Sequence, residues 1–188
     1  MKFLPFLNYL LLIGIITIII LLIYASVQQT YRSGANDPQI QIAEDISAKI
    51  EKGKAIEDIF PADTVDIARS LAPVIALYDA QDKPIRSSGV LDGKMLQLPA
   101  GVFDFAKTQG EHEITWQPRS GVRMAMVVIS SNFSPVGFIV AGRSLQEVEV
   151  REHNLIIMAF LGWLVCIGLL LLHAALQFHR TTENKFLP

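Results

Sequence analysis

LLLIGIITIIILLI, from Leu10 to Ile23, is the heart of an uncharged run that extends from Phe3 to Val27. A second run, Leu155 to Leu176, lies near the other end, with Cys166 and His173 as its only titratable side chains. A helix needs about 20 apolar residues to cross the roughly 30 Å hydrocarbon layer of a bilayer. In that layer a helix satisfies its own backbone groups, so both runs read as membrane-spanning helices. Between them lies a polar stretch large enough to bury one core. The expected organisation is an anchor over residues 1–28, a folded domain over 29–152, a second anchor over 153–178 and a short tail over 179–188.

The chain has 188 residues, 51% of them hydrophobic, and the apolar excess is concentrated in the two runs. Of its 16 basic and 18 acidic side chains, only Lys2, Arg180, Glu183 and Lys185 fall outside the middle stretch, which is therefore mildly acidic. No basic patch stands out, which argues against a nucleic-acid partner. The single cysteine, Cys166, sits in the second run, so the middle domain must be stable without a disulfide. The first run is longer than the apolar part of a signal peptide, and Tyr24-Ala25-Ser26-Val27 is not a clean small-x-small cleavage site; an uncleaved anchor is expected. Both short tails are mildly basic, which places both termini in the cytoplasm and the middle domain outside.

Along the middle stretch, Asn36-Asp37-Pro38 starts an amphipathic helix, with Ile40, Ile42, Ala43, Ile46 and Ile50 largely on one face and Gly53 as its stop. A shorter helix is expected from about Ala62 to Leu71, before Pro73. Val74–Tyr78 and Ile85–Ser87 form a hairpin about the turn Asp79–Pro84. Pro99 opens a helix with Val102, Phe103, Phe105 and Ala106 as buried positions. Three strands follow: His112–Gln117, Val122–Ser130 and Val136–Ala141. Gln117–Gly121 and Asn132–Pro135 are the turns between them, and Gly142 breaks the last strand. Ser144 caps a helix that continues without interruption into the second anchor. The fold class is α+β: five strands in one antiparallel sheet, with helices on a face and a transmembrane helix on either side.

Three stretches carry a family resemblance: Ala35–Asp45, Leu98–Asp104 and Phe138–Val148. Their order between two membrane helices resembles the extracytoplasmic PAS-like (Cache-type) sensor domains of bacterial histidine kinases and chemoreceptors, over about Ala35 to Glu152. The resemblance implies a PAS-like sheet with a long N-terminal helix, a bacterial inner-membrane location, and a homodimer. In such receptors a kinase or methyl-accepting domain follows the second anchor. Here about ten residues follow, so a separate membrane partner is expected to receive any signal.

Arg123, at the start of the central strand, alternates with Ala125, Val127 and Ile129; it could hold a carboxylate ligand through a bidentate pair. Trp116 and Tyr78, apolar bodies with polar tips, could line the same pocket. The competing readings are a solvated strand-end arginine and ordinary core aromatics. Arg86 and Arg119 read as surface residues near turns. Glu111, His112 and Glu113 are adjacent, but alternation turns the histidine away from both carboxylates, which makes a poor metal site. His173 and His179 fall on different sides of a helix. No catalytic set, phosphate loop, cofactor motif or metal spacing is present. The expected function is a non-enzymatic two-pass membrane sensor or adaptor that binds a small molecule or a protein. The alternative is a structural accessory subunit that uses the middle domain for docking.

Overall fold

A computed structural model describes residues 3–34, 36–61 and 63–183. Lys2, Ala35, Ala62 and Lys185, which figure in the sequence expectations, lie outside the described residues. The chain divides into two units: one holds the two long apolar helices, and the other is Tyr31–Glu149.

The first unit contains most of α1 (Phe3–Ser33, 31 residues) and most of α5 (Gln146–Glu183, 38 residues). Both are long and apolar enough to cross a membrane. Leu10, Leu11, Ile18, Leu161 and Leu169 are each about half exposed or more, a distribution suited to a hydrocarbon solvent. A hydrogen bond joins the helices. Trp163 Nε1 donates to Thr17 Oγ1 at 2.9 Å, and that hydroxyl donates to the Ile13 carbonyl at 2.8 Å. The indole N–H thus has the partner that an apolar setting demands. The rings of Tyr9 and His173 lie 6.4 Å apart, centroid to centroid.

The second unit is built on an antiparallel sheet of β2 (Val74–Tyr78), β3 (Pro84–Ser87), β6 (Glu111–Arg119), β7 (Val122–Ser130) and β8 (Phe138–Ser144), in the order β3-β2-β8-β7-β6. The last strand thus lies at the centre, between the first and the fourth. Its neighbours are aligned residue by residue, Leu77 and Ile129 both opposite Ile139. Helix α2 (Asp37–Glu51), with Pro38 in its first turn, packs on one face through Ala43 and Ile46; Leu77, Ile139 and Ala141 meet it. Helix α4 (Ala100–Gln109) packs on the other through Phe103 and Ala106; Tyr78, Met124, Met126, Val128, Phe138 and Val140 meet it. Helices therefore cover both faces, not the one face expected. Strands β2, β7 and β8 are buried on both sides, which is why they read as apolar runs rather than as alternating ones.

Several local expectations are corrected. No helix occupies 63–71. Val65–Asp66 (β1) pairs in parallel with Gly89–Leu91 (β4), and Asp66 Oδ1 accepts the Ala68 amide at 3.0 Å, a side-chain turn that competes with helix. A four-residue helix, α3 (Ile56–Ile59), precedes it. Strand β4 folds back on β5 (Lys94–Met95) to complete a small three-stranded sheet. Asp92 and Gly93 at that bend both have positive φ, 52° and 75°, as a tight two-residue hairpin requires. Gly142 does not break β8. It pairs with Met126, and a Cβ there would stand 2.9 Å from Met126 Cε, so glycine makes room for the methionine. Strand β6 runs through Pro118 to Arg119, leaving Ser120-Gly121 as the turn. In α4, Phe105 is 49% exposed and not a core residue. In α2, the buried face begins at Gln39, a polar side chain outside the apolar face that the spacing predicts.

Candidate functional site

The three residues expected to share a pocket fall on opposite sides of the sheet. Tyr78 and Trp116 face α4. Tyr78 is 1% exposed, and Trp116, opposite Met124, packs against the same core. Arg123 projects from the other face, shared by Ala125, Val127 and Ile129. Its alternation was legible in the sequence, but its neighbours were not. The three residues therefore form no common binding site.

The α4 side is filled by stacked aromatics. Tyr78 and Phe103 have centroids 4.8 Å apart, and Phe103 and Phe138 are 5.0 Å apart. Tyr78 Oη donates to the Leu96 carbonyl at 2.6 Å. Burial pushes this phenol well above the ordinary tyrosine range. The polar tip that suggested ligand recognition is thus occupied inside the fold. His112 likewise turns inward: its Nδ1 lies 3.1 Å from the Val102 carbonyl and its ring 4.2 Å from that of Phe105.

Arg123 meets the start of α5. Its guanidinium donates to Glu149, and its carbonyl accepts the Leu145 amide at 2.9 Å. One strand over, Arg143 Nη2 donates to Glu147 Oε2 at 3.0 Å. Ser144 Oγ receives the Gln146 amide at 3.3 Å, and the Leu145 carbonyl accepts from the Glu149 amide at 2.9 Å, the first turn of α5. Arg143, Glu147 and Glu149 were not singled out in the sequence; the signal for the first two was their i, i+4 spacing across the strand-to-helix junction, and Glu149 carried none. The other two arginines are also engaged. Arg86 lies over the Phe60 ring, 5.1 Å from its centroid, and Arg119 grips Asp92 at 2.9 and 3.2 Å.

An open cleft of about 450 Å³ lies between α2 and the start of β6, lined by Glu44, Ser47, Ala48, Glu51, Gln109, Gly110, Glu111 and Ile129. Burial first, and then the charges of Glu113 and Glu44, raise the Glu111 carboxyl above its ordinary range. Glu113 receives the Asn36 side-chain amide at the head of α2. Among the described residues no group of three or more His, Cys, Asp or Glu side chains is arranged to hold a metal ion.

No protein-family model matches this chain, and no curated protein matches it.

Proposed function

We propose that this protein is a two-pass sensor or adaptor of the bacterial inner membrane, without chemistry of its own. Its PAS-like domain, Tyr31–Glu149, stands outside the cytoplasm and binds a small molecule or a protein. The outcome passes along α5 to a separate membrane partner. One observation carries this reading. The central strand β8 leads within two residues into α5, which runs unbroken for 38 residues through an apolar segment. A change in the sheet then has a direct covalent route toward the membrane. The five-stranded antiparallel sheet behind a long first helix supports the PAS-like part of the reading.

A ligand can bias such a device only by its differential affinity for two states. The test is a thermal-shift screen of the full chain in lipid nanodiscs against amino acids, organic acids and other small metabolites, paired with crosslinking in native membranes. A ligand at 100 times its dissociation constant adds about 2.7 kcal/mol and raises the melting temperature visibly. Absence of any shift, together with no crosslinked partner, would remove the proposal's support.

A specific observation favours a second reading, an accessory subunit that docks through its folded domain. The space between the sheet and α4 is taken by Tyr78, Phe103 and Phe138, each at most 2% exposed. A stable complex of fixed stoichiometry after detergent extraction, unchanged by metabolites, selects this reading over the sensor.

A further inference from the structure

We propose that Arg123 and Arg143 form an electrostatic clasp that holds the first turns of α5 against the sheet, and that opening this clasp is the step that frees the helix. The inference rests on the sensor reading and names the contact through which the domain would act on α5.

The geometry is set by strand pairing. Arg143 lies opposite Ala125, so Arg143 and Arg123 are diagonal neighbours on the same face of β7 and β8. Two like charges so placed repel each other. Helix α5 supplies one carboxylate to each: Glu147 to Arg143 and Glu149 to Arg123. The two acids lie in the first turn of α5, where the helix dipole also favours negative charge. One helix thus neutralises a repulsive pair on two strands at once.

The clasp is also built to open. The four side chains are between 38% and 45% exposed, so water and ions reach both pairs. Exposed pairs of this kind are individually weak and screened by salt. The bond from the Leu145 amide to the Arg123 carbonyl is independent of charge and stays in place when the pairs part. It makes Leu145 a pivot about which the first turns of α5 can change their position.

The experiment is hydrogen exchange on the full chain in nanodiscs, read by mass spectrometry over peptides covering 146–152 and, as an internal control, 138–142. In the wild type, raising salt should speed exchange over 146–152 by up to about fivefold while β8 stays protected. Arg123→Gln and Glu149→Gln should each show faster exchange already at low salt and a smaller salt response, the remainder coming from the Arg143–Glu147 pair. The swap R123E/E149R should restore part of the protection, because a positive charge in the first turn of α5 opposes the helix dipole. A wild-type chain whose α5 start is insensitive to salt overturns the clasp. So does a swap that leaves 146–152 as unprotected as the single variants. These readouts need no ligand and no partner, so a metabolite screen without a shift, together with no crosslinked partner, sinks the sensor reading without touching the clasp, and the reverse also holds.

Discussion

Tyr78 and Leu96 are tied by a hydrogen bond of 2.6 Å from the phenol to the carbonyl, deep in the core beneath α4. Tyr78→Phe keeps the ring stack with Phe103 but leaves that carbonyl without its donor. The expected cost is about 1–2 kcal/mol, measured as a fall in melting temperature of the full chain in detergent. The same bond has an alkaline signature. Burial raises the phenol above its ordinary value in the folded chain, so the unfolded chain ionises first, near pH 10. Tyr78 therefore contributes full stability below that pH and loses it as pH rises further. The Phe variant should lack this share of the alkaline decline; an identical decline in both proteins would contradict the assignment.

Glu111 gives a prediction at the acidic side. Its carboxyl is raised in the folded state by burial and by the charges of Glu113 and Glu44. Its charged form is disfavoured in the folded state. As pH falls through its raised value toward the ordinary carboxylate range, protonation removes that penalty. Glu111→Gln should therefore be slightly more stable than wild type at pH 7.5, with the gap closing by about pH 4, below the usual glutamate value. Melting curves at the two pH values decide it; a variant that is less stable at neutral pH would contradict it.

In the unit of the two long apolar helices, Thr17→Val removes the acceptor for the Trp163 indole while keeping the side chain's shape. Interhelical hydrogen bonds in bilayers contribute about 0.6 kcal/mol on average and up to about 1.7. The expected loss is in that range, read as a lower midpoint in detergent-driven unfolding followed by circular dichroism. Trp163→Phe should cost a similar amount, and the double variant should cost less than the sum of the two. Full additivity would show that the two residues are not coupled.

The orientation is tested with the chain's single cysteine removed. In a Cys166→Ala background, cysteines introduced at the exposed positions Gln81 and Ser120 should react with a membrane-impermeant maleimide in intact cells. Labelling only after lysis would place the domain in the cytoplasm and overturn the proposed location.

The two long helices, α2, α4 and all five strands of the main sheet were legible because each carries a local pattern: an uninterrupted apolar run, a proline-started amphipathic face, or branched residues between turns. The errors have specific physical sources. Asp92-Gly93 carries a hairpin signal of the strongest kind, but strands of two and three residues are too short to show periodicity. Gly142 was read as a break because its reason for being small, Met126 on the adjacent strand, is 16 residues away in sequence. The stretch after Ala62 has helical composition, yet Asp66 and the pairing with Gly89 hold it otherwise. Arg123 illustrates the general difficulty. Its alternation was right, but β7 and β8 are apolar on both faces, so alternation alone could not say which helix each face would meet.

With α2 on one side and α4 on the other, the sheet meets solvent only along its rim. A visitor to this domain touches the outer surfaces of the helices, the edge strands β3 and β6, or the ends of the strands, and the middle of the sheet feels it only through them. Among those ends, that of β8 differs from the rest, because its chain goes on as α5. The strand most enclosed by neighbours is thus also the one whose polypeptide leaves the domain for an apolar helix, which makes the innermost part of the fold its outlet.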